Sequence, residues 1–379
     1  MKESASRWRV NYQQAIEYEI INSPHLFQLQ NDSILSVGKT EQARRFVVMD
    51  RNVEKYYAEE IHNYFSHHQI EAKIISIPSG EEHKTLESYL TIVQELDAFP
   101  INRRNEPIIA IGGGVLTDIV GFVASSYRRG LPHLKVPTTL MGYVDASIGI
   151  KTGININGNK NRLGAFAPPQ KVFLDKTFLK TLPKRHILNG VCEIIKLAII
   201  KDADLFRLLE THGSQSIEEY FQNAEGDLIL DTAIQGMLEE LEPNLFEEDL
   251  MRKVDFGHTF SYGLETRHET NLLHGEAVLL DMMVSSLIAK SRQFISEEDI
   301  SRIFQLIDQL GIELDTTILD SDMLWASLNE RTYHRDGLQR VPMPLGIGGC
   351  TFVNDIKQDE IINAVKKLED RMILNYDHA

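Results

Sequence analysis

The stretch IIAIGGGVLTD, residues 108–118, decides the fold. Its four apolar residues at 108–111 predict a buried strand, and Gly112, Gly113 and Gly114 join that strand to a segment with helical periodicity. Glycines between a strand and a helix let the backbone approach a pyrophosphate, whose charge then faces the helix N-terminus. Because the spacing is not the usual dinucleotide fingerprint, the stretch predicts a strand, a turn and a helix and leaves nucleotide binding open.

Strand and helix patterns alternate on both sides of this stretch. The segments 46–50, 73–77 and 171–175 predict further strands. Helical patterns extend to about His68 and over residues 82–97. Strands separated by helices at this spacing are typical of a mainly parallel sheet that is covered on both faces. We therefore expect a Rossmann-like α/β domain.

Beyond about Pro183 the pattern changes to long segments with three-to-four periodicity. These segments predict helices over residues 186–201, 224–242, 274–293, 297–310 and 356–372. The change of periodicity alone predicts two domains, an α/β domain over residues 1–182 and an α-helical domain over residues 183–379.

The composition is that of an ordinary globular protein. The chain has 379 residues, and its 39 Lys and Arg against 55 Asp and Glu leave a formal net charge of −16. So acidic a chain is a poor partner for nucleic acid or for an anionic membrane. It shows no long apolar run and no secretory signal in its opening segment, and its two cysteines are Cys192 and Cys350. We therefore expect a cytoplasmic enzyme that does not span a membrane.

Polar residues follow two of the predicted strands. Asp50 ends its strand, where its carboxylate could accept ribose hydroxyls or could cap the next helix. Glu81 and Lys84 lie in the segment SGEEHK, residues 79–84, which is either a loop that contacts a nucleotide or the capped start of a helix. The residue types leave both possibilities open.

A second polar cluster follows in the segment YVDASIGIK, residues 143–151. Small residues around Asp145 and Lys151 let the backbone pack close to a ligand. Lys160 and Asn161, with the arginine after them, form a donor-rich loop suited to phosphate and hydroxyl groups. A solvated polar loop explains this second group equally well, but it does not explain Lys151 in its apolar, glycine-rich surroundings.

A third constellation could hold a metal ion. Glu193 and Lys196 lie three residues apart, so both project from one face of a predicted helix amid apolar neighbours, where unpaired charges are costly. Glu193 supplies one carboxylate, and His258 and His274 supply two imidazoles. This donor set is typical of catalytic metal sites with open positions. The spacing alone is weak evidence, since a single histidine is more often a core residue or a helix cap.

Taken together, these motifs resemble those of the dehydroquinate synthase-like sugar phosphate cyclases. The resemblance extends from about residue 43 to about residue 355 and is carried, in family order, by GGGVLTD, YRRG, VPTTL, VDASIGIKTG, KNRLGAF, EIIK, GHTF and HGEAV. It implies a nucleotide-binding α/β domain, an α-helical domain, an active site in the cleft between them and a homodimer. It also implies temporary oxidation of a sugar phosphate alcohol by NAD, loss of phosphate and ring closure, with no net redox change.

The resemblance also assigns site residues. The residues expected to line NAD are Asp50, Glu81, Lys84, Gly114, Val115, Asp118, Thr138, Thr139, Lys151, Lys160, Phe178 and Thr181. The residues expected to bind zinc or cobalt are Glu193, His258 and His274. The residues expected to act on the sugar phosphate are Asp145, Lys151, Asn161, Lys196 and Asp255, with Arg129 reaching the phosphate site of a neighbouring subunit. The role of Arg340 is left open.

Two positions depart from dehydroquinate synthase itself. Counted back from His258, the lysine and the arginine that bind its substrate's carboxylate are replaced by Met237 and Met251. A thioether cannot neutralise a carboxylate, so we expect a substrate without one, unless the segment is misaligned. Asp255 stands where the family has Asn, and its carboxylate could accept a hydroxyl but would repel a second anion.

This pattern is similar to the branch that cyclises sedoheptulose 7-phosphate, and most similar to the 2-epi-5-epi-valiolone synthases. Tyr262, where those enzymes usually carry Pro, leaves the stereochemistry open, with 2-epi-valiolone as a variant. Demethyl-4-deoxygadusol synthases tend to carry His at Glu276 and differ at residues 151–153. Three further functions stay open: 3-dehydroquinate synthase, a metal-dependent NAD alcohol dehydrogenase of the glycerol dehydrogenase type, which needs no phosphate clamp, and a degenerate relative that only binds or regulates.

Overall fold

The structure, a computed structural model, describes residues 7–36, 44–266, 271–333 and 335–376, with side chains described up to residue 371. Its strands are β1 (Glu19–Asn22), β2 (Arg45–Asp50), β3 (Ala72–Ile77), β4 (Ile108–Gly112), β5 (His133–Pro137), β6 (Lys151–Ile156), β7 (Asn159–Phe166), β8 (Lys171–Leu174), β9 (Val341–Pro344) and β10 (Cys350–Val353). Its α-helices are α1 (Arg51–His67), α2 (Leu86–Ala98), α3 (Gly114–Ser126), α4 (Lys184–Ile200), α5 (Ala203–Glu218), α6 (Ala224–Leu241), α7 (Ser261–Glu265), α8 (His274–Ser291), α9 (Glu297–Gln309), α10 (Ser321–Tyr333) and α11 (Gln358–Tyr376). The first six residues, and residue 43 where the resemblance begins, lie outside the described residues.

A six-stranded sheet is built from the first half of the chain. Its strand order is β1-β8-β5-β4-β2-β3, and every neighbouring pair is parallel. The four strands predicted from the sequence are confirmed by β2, β3, β4 and β8. The sequence did not predict β1, which has only four residues, or β5, where His133 and Lys135 interrupt the apolar pattern.

Apolar side chains cover both faces of this sheet. Val47 and Ile109 pack in one cluster with the buried residues of α1, whereas Val48 and Ala110 pack in another with those of α2 and α3. Successive side chains of a strand point to opposite faces, so these continuous apolar strands require helices on both sides. The predicted α/β domain with a parallel, doubly covered sheet is therefore confirmed.

The carboxyl ends of three central strands meet at one edge. Gly112 of β4 pairs with Pro137 of β5, and β2 ends beside them at Asp50. The turn after β4 leads into α3, and a Cβ added at Gly114 would lie 2.9 Å from the Cβ of Ala146. Glycine is needed here because the backbone approaches its neighbour this closely. In open α/β sheets, ligands bind at such an edge.

The donor-rich segment after Lys151 is an antiparallel hairpin of β6 and β7. Its turn residues Asn157 and Gly158 have φ values of 52° and 74°. Positive φ at both central residues is the geometry that an Asn-Gly pair favours between two strands. The prediction of a loop at Lys160 and Asn161 was therefore wrong, because polarity alone does not distinguish a loop from a hairpin of polar residues.

The second half of the chain is helical, as predicted. The five predicted helices correspond to α4, α6, α8, α9 and α11, with ends that differ by a few residues. The sequence did not predict α5, α10 or the β9–β10 hairpin. In α5, Gly213 weakens the helical signal, and it is there because an added Cβ would lie 2.6 Å from Leu310. Residue 182 lies between β8 and α4, and the division into domains at that point stays a prediction.

Within the described residues, no helix is long and apolar enough to cross a membrane.

Lys135 is a buried charge in the middle of the sheet. It has no exposed surface, and its Nζ donates to the carbonyl of Gly149 at 2.9 Å. Burial lowers the pKa of Lys135 to about 8, with Asp118 acting in the opposite direction. The ammonium group thus connects the sheet to the segment that leads to Lys151, and it destabilises the folded chain at neutral pH.

The Lys135→Met substitution should raise the free energy of unfolding, and the gain over wild type should be larger at pH 7 than at pH 9.5. The folded-state pKa of about 8 lies below the ordinary lysine value of 10.5. Between these values the unfolded wild type binds more protons, so its free energy of unfolding rises with pH by on the order of 2 kcal/mol. Urea unfolding of both proteins at both pH values measures this effect. A difference that does not change with pH would contradict the assignment.

Candidate active site

The residues predicted to contact a nucleotide join three segments of the α/β domain. Lys84 is 4% exposed, and its Nζ lies 2.7 Å from Asp118 Oδ2 on α3 and 2.6 Å from Asn161 Oδ1 on β7. Burial would lower the pKa of Lys84, but Asp118 and Glu81 raise it, so the ammonium is retained. Asn155 of β6 donates its backbone N–H to the Lys84 carbonyl and its amide to Glu81 Oε1, each at 2.7 Å. The segment before α2, helix α3 and the hairpin are therefore held as one unit.

Other residues on this side have structural partners of their own. Asp50 Oδ1 accepts a hydrogen bond from Asn52 N at 2.7 Å, so Asp50 caps α1, which is one of the two roles that the sequence left open. Thr139 Oγ1 accepts from Gly142 N at 3.1 Å. Contact of these residues with a dinucleotide stays a prediction, as it does for Gly114, Val115 and Thr138.

Phe178 and Thr181 lie after β8 and pack against α1. Phe178 is 3% exposed, and its ring centroid lies 4.8 Å from that of Tyr57. The hydroxyl groups of Thr181 and Tyr57 lie 3.0 Å apart. The structure thus gives Phe178 a core position, and its predicted contact with NAD is untested.

Glu193, His258 and His274 come together, as the metal prediction requires. One ligand atom from each lies within 4.8 Å of the others, with Glu193 Oε1 3.9 Å from His258 Nε2 and 3.5 Å from His274 Nε2. Glu193 has no exposed surface, and neither of its carboxylate oxygens has a hydrogen-bond partner among the described residues, although Lys196 Nζ contacts Oε2. A buried carboxylate in this state needs a further cation. One carboxylate and two imidazoles fit zinc or cobalt.

The second nitrogen of each imidazole faces an oxygen acceptor. His258 Nδ1 lies 3.2 Å from the carbonyl of Phe256, and His274 Nδ1 lies 3.1 Å from Glu265 Oε2. When Nδ1–H donates to such an oxygen, Nε2 is left unprotonated for a metal. Glu265 was not predicted from the sequence. It also accepts a hydrogen bond from Lys160 Nζ at 2.7 Å, which links the hairpin to the metal cluster.

His274 is the first residue of α8, and close packing against α4 fixes its position. Gly275 N donates to Asn189 Oδ1 at 2.6 Å, and a Cβ on Gly275 would lie 2.1 Å from the Asn189 carbonyl oxygen. Only glycine allows this approach. Glu276 caps the helix and forms a two-point ion pair with Arg185, at 2.7 and 2.8 Å. Glu276 therefore has a structural role in placing His274.

Charge pairing determines the protonation of the cluster. Burial opposes ionisation of Glu193, but Lys196 and the imidazoles hold its pKa below the usual range. Burial, assisted by Lys196, lowers the pKa of His258 to about 3. Burial would also lower the pKa of His274, but Glu265 and Glu193 raise it to about 10. The negative charges of Glu193 and Glu265 therefore favour a positive charge between them. A divalent cation bound to neutral imidazoles would supply that charge.

Three residues predicted to contact the substrate, Lys196, Asp145 and Lys151, interact with this cluster or with each other through their charges. Lys196 contacts Glu193, and Asp145 lies close enough to be affected by both. Burial and the charge of Glu193 raise the pKa of Asp145, with Lys196 acting in the opposite direction. Asp145 therefore releases its proton less readily than Glu193 does. Lys151 is 64% exposed and pairs with Glu247 at 3.0 Å.

Arg129 lies on an exposed segment after α3. It is one of three successive residues with positive φ, namely Arg128 at 49°, Arg129 at 66° and Gly130 at 116°. Each non-glycine residue in this region costs about 1 kcal/mol or more, so its surroundings must hold it there. The predicted contact of Arg129 with a second copy of the chain is untested.

Comparison with known proteins places this site in a family. Two family models match in succession, 3-dehydroquinate synthase N-terminal over residues 74–189 and 3-dehydroquinate synthase C-terminal over residues 190–332. The chain belongs to the 3-dehydroquinate synthase family. The resemblance found in its motifs is thereby confirmed.

Relatives within the family are similar over nearly their whole length. The chain is 47% identical over 372 residues to a 2-epi-5-epi-valiolone synthase of Streptomyces albus, covering 96% of this chain and 91% of the relative. It is 44% identical over 375 residues to a 2-epi-5-epi-valiolone synthase of an Actinomyces species, covering 97% and 98%. The structure of ValA, the 2-epi-5-epi-valiolone synthase of Streptomyces hygroscopicus subsp. jinggangensis with NAD+ and Zn2+ bound, matches with a TM-score of 0.92 at 42% identity, covering 96% of this chain and 100% of that chain.

The two methionines that depart from the family pattern lie in different environments. Met237 of α6 is 1% exposed and belongs to the core of the helical half, whereas Met251 is 51% exposed. Neither side chain carries a charge. Met237 and Met251 therefore supply no positive charge to a substrate. Other residues nearby do carry positive charges, which the sequence analysis did not assign to the site.

Three arginines that the sequence did not assign to the site contact Asp255. Arg252 Nη1 lies 3.0 Å from its Oδ1 and Arg331 Nη2 lies 3.2 Å from its Oδ2, where Arg335 also makes contact. Burial opposes ionisation of Asp255, but the arginines hold its pKa well below the usual range. The carboxylate that was predicted to accept a substrate hydroxyl is thus already largely occupied.

The Glu265→Gln protein should bind Co2+ about 10- to 100-fold more weakly than wild type, because an amide orients and polarises His274 less than a carboxylate does. Titration of the metal-free protein with Co2+, followed by its visible absorption, measures the affinity. Glu225→Gln, an exposed glutamate on α6, is the matched control and should bind as wild type does. Equal affinity of the Glu265→Gln protein and wild type would show that Glu265 does not support the site.

Proposed function

We propose that the protein is an NAD- and divalent-metal-dependent sugar phosphate cyclase that converts sedoheptulose 7-phosphate into 2-epi-5-epi-valiolone and releases inorganic phosphate. The observation that carries this proposal is the buried Glu193 carboxylate that faces two imidazoles beside the lysine-bearing hairpin. Its support from relatives is the 42–47% identity to 2-epi-5-epi-valiolone synthases over nearly the whole chain.

NAD would bind along the carboxyl edge of the parallel sheet. The glycine turn before α3 lets the backbone approach a pyrophosphate, Asp50 ends β2, and Thr138 directly follows β5. Lys84 and Asp118 tie this edge to the hairpin, so a dinucleotide bound there would extend towards the metal cluster. The ValA structure, which contains NAD+, supports this placement.

A divalent ion, zinc or cobalt, would be held by Glu193, His258 and His274. When bound, the metal ion acts as a Lewis acid on a substrate oxygen, and NAD+ accepts a hydride and later returns it. Lys196 and Asp145 would orient hydroxyl groups of the sugar, since Lys196 is a fixed donor and the carboxyl group of Asp145 is close enough to interact with Lys196 and Glu193. Orientation and exclusion of water are the contributions of the protein to such a reaction.

The phosphate group would enter among Lys151, Lys160 and Asn161. Lys151 now pairs with Glu247 and Lys160 with Glu265, so phosphate oxygens would replace or share these acceptors. Arg129 of a second copy would complete the clamp, which makes a homodimer part of the proposal. A cytoplasmic location is likewise proposed, on the basis of the two unpaired cysteines.

Incubation of the protein with sedoheptulose 7-phosphate, NAD+ and Zn2+ or Co2+ should release one phosphate for each ketose consumed. NADH absorbance should not accumulate, because the hydride returns within each turnover. A phosphate assay and NMR of the product measure both results. Accumulating NADH without phosphate would indicate a metal-dependent alcohol dehydrogenase instead, and rapid turnover of a seven-carbon 2-keto acid phosphate would indicate a dehydroquinate synthase.

The Glu193→Gln protein should lose activity by about 10³-fold or more, since the amide removes the charge that the metal ion neutralises. Glu225→Gln should retain wild-type activity. Phosphate release by the Glu193→Gln protein within about 10-fold of wild type would contradict the metal-dependent mechanism.

A further inference from the structure

Three arginines share the single carboxylate of Asp255. Arg252 lies 3.0 Å from Oδ1 and Arg331 3.2 Å from Oδ2, and Arg335 also contacts Oδ2. The four side chains are only 10–13% exposed. Three positive charges therefore converge on one negative charge in a place with little water, where each of them acts strongly on its neighbours.

Nearby acidic residues do not balance these arginines. Glu247 lies 2.8 Å from Arg252, but the same oxygen lies 3.0 Å from Lys151. Asp281 acts on Arg331 electrostatically, but one of its oxygens already accepts hydrogen bonds from two backbone amides. Nε of Arg331 is buried and has no hydrogen-bond partner among the described residues. The cluster thus offers more donors than the surrounding acceptors use.

Backbone carbonyls hold two of the arginines in place. Arg331 Nη1 donates to the carbonyl of His258, a member of the metal cluster, and Arg335 Nη1 donates to that of Leu250 at 2.7 Å. His258 N in turn donates to the Asp255 carbonyl at 2.9 Å. Guanidinium groups fixed in this way are preorganised to bind a carboxylate. They lie immediately beside the metal cluster.

We propose that Asp255 is a built-in counter-ion. Its carboxylate occupies an arginine cage, formed by Arg252, Arg331 and Arg335, that would otherwise bind the carboxylate of a 2-keto acid sugar phosphate. This inference rests on the proposed function. It assigns the choice between a ketose phosphate and a 2-keto acid phosphate to Asp255 and the arginine cage. A second carboxylate is excluded because Asp255 already fills the place where the three guanidinium groups converge and because its charge repels another anion.

The same arrangement admits a neutral substrate end. An ionised carboxylate has about four lone-pair sites, of which the arginine cage uses three on Asp255. One site is left for a hydroxyl donor such as the hydroxymethyl group of a ketose. The cage therefore selects for a hydroxymethyl group and against a carboxylate at the same position.

A purely structural role predicts a different response to mutation. If the arginines only tie α10 and the segment after it to the residues before α7, Asp255→Asn destabilises the protein and added carboxylates have no effect. If Asp255 fills a binding site, the isosteric Asp255→Asn change removes its charge and releases guanidinium donors, and a small carboxylate from solution can pair with them.

The test is thermal unfolding of the metal-loaded protein with increasing glycolate, at constant ionic strength set with chloride. The Asp255→Asn protein should show a saturable rise in Tm of about 2–4 °C, whereas wild type should show none. Asp355→Asn is the matched control, because Asp355 pairs with Arg292 at 2.6 Å but is 76% exposed. Equal responses of wild type and the Asp255→Asn protein would overturn the proposal.

A second variant covers the case in which Asp255→Asn does not fold. The Asp255→Asn/Arg335→Gln protein has one fewer unbalanced guanidinium and should fold, with a weaker response to glycolate. If either protein folds only when glycolate is present, the arginine cage is confirmed. If neither folds with or without glycolate, or if they fold and do not respond, the proposal is wrong.

Kinetics separates this inference from the proposed function. The ratio of kcat/KM for the seven-carbon 2-keto acid phosphate to that for sedoheptulose 7-phosphate should rise by about 10-fold or more in the Asp255→Asn protein. An unchanged ratio would contradict the inference. If wild type does not turn over sedoheptulose 7-phosphate, the proposed function fails, while the glycolate response still decides whether Asp255 fills the cage.

Discussion

A carboxylate with no exposed surface, that of Glu193 on α4, is the constraint on which the rest of the site depends. Water cannot solvate it, and a hydrogen-bond partner for its oxygens is missing among the described residues. In such a place the charge must be compensated by cations brought to it. Lys196 supplies one of them, and the imidazoles of His258 and His274 leave room for a second. The chemistry that we propose follows from this one buried charge, which Lys196 alone compensates only in part.

The elements around Glu193 bring the two halves of the chain together. Gly275 lets α8 approach α4, which places His274 opposite the carboxylate. Glu265 then connects that histidine to Lys160, and so to the hairpin of the α/β half. A change in the hairpin, where phosphate is proposed to bind, can therefore reach the metal cluster through two hydrogen bonds. The proposed phosphate site and the metal cluster are thus joined by direct contacts.

Local patterns in the sequence predicted the elements, and motif resemblance predicted which residues would share the site. The strand before Gly112 and the long helices were visible because their periodicity is local. The hairpin was also readable, from Asn157–Gly158, but its polar side chains suggested a loop. Arg331 and Glu265 could not be assigned, because the residues that they contact lie far away in sequence or beyond a turn. Long-range ion pairs leave no periodic signal, so only the folded chain shows which acid an arginine faces.

The central claim is that a divalent ion on Glu193, His258 and His274 lies beside the phosphate-binding lysines. X-ray diffraction at the zinc absorption edge, from crystals grown with NAD+, Zn2+ and a phosphonate analogue of the ketose, tests it most directly. We predict an anomalous peak about 2.0–2.2 Å from Nε2 of both histidines and from a carboxylate oxygen of Glu193, with the phosphonate at Lys151 and Lys160. A zinc peak elsewhere, or a cluster left without zinc while the analogue is bound, would contradict the account.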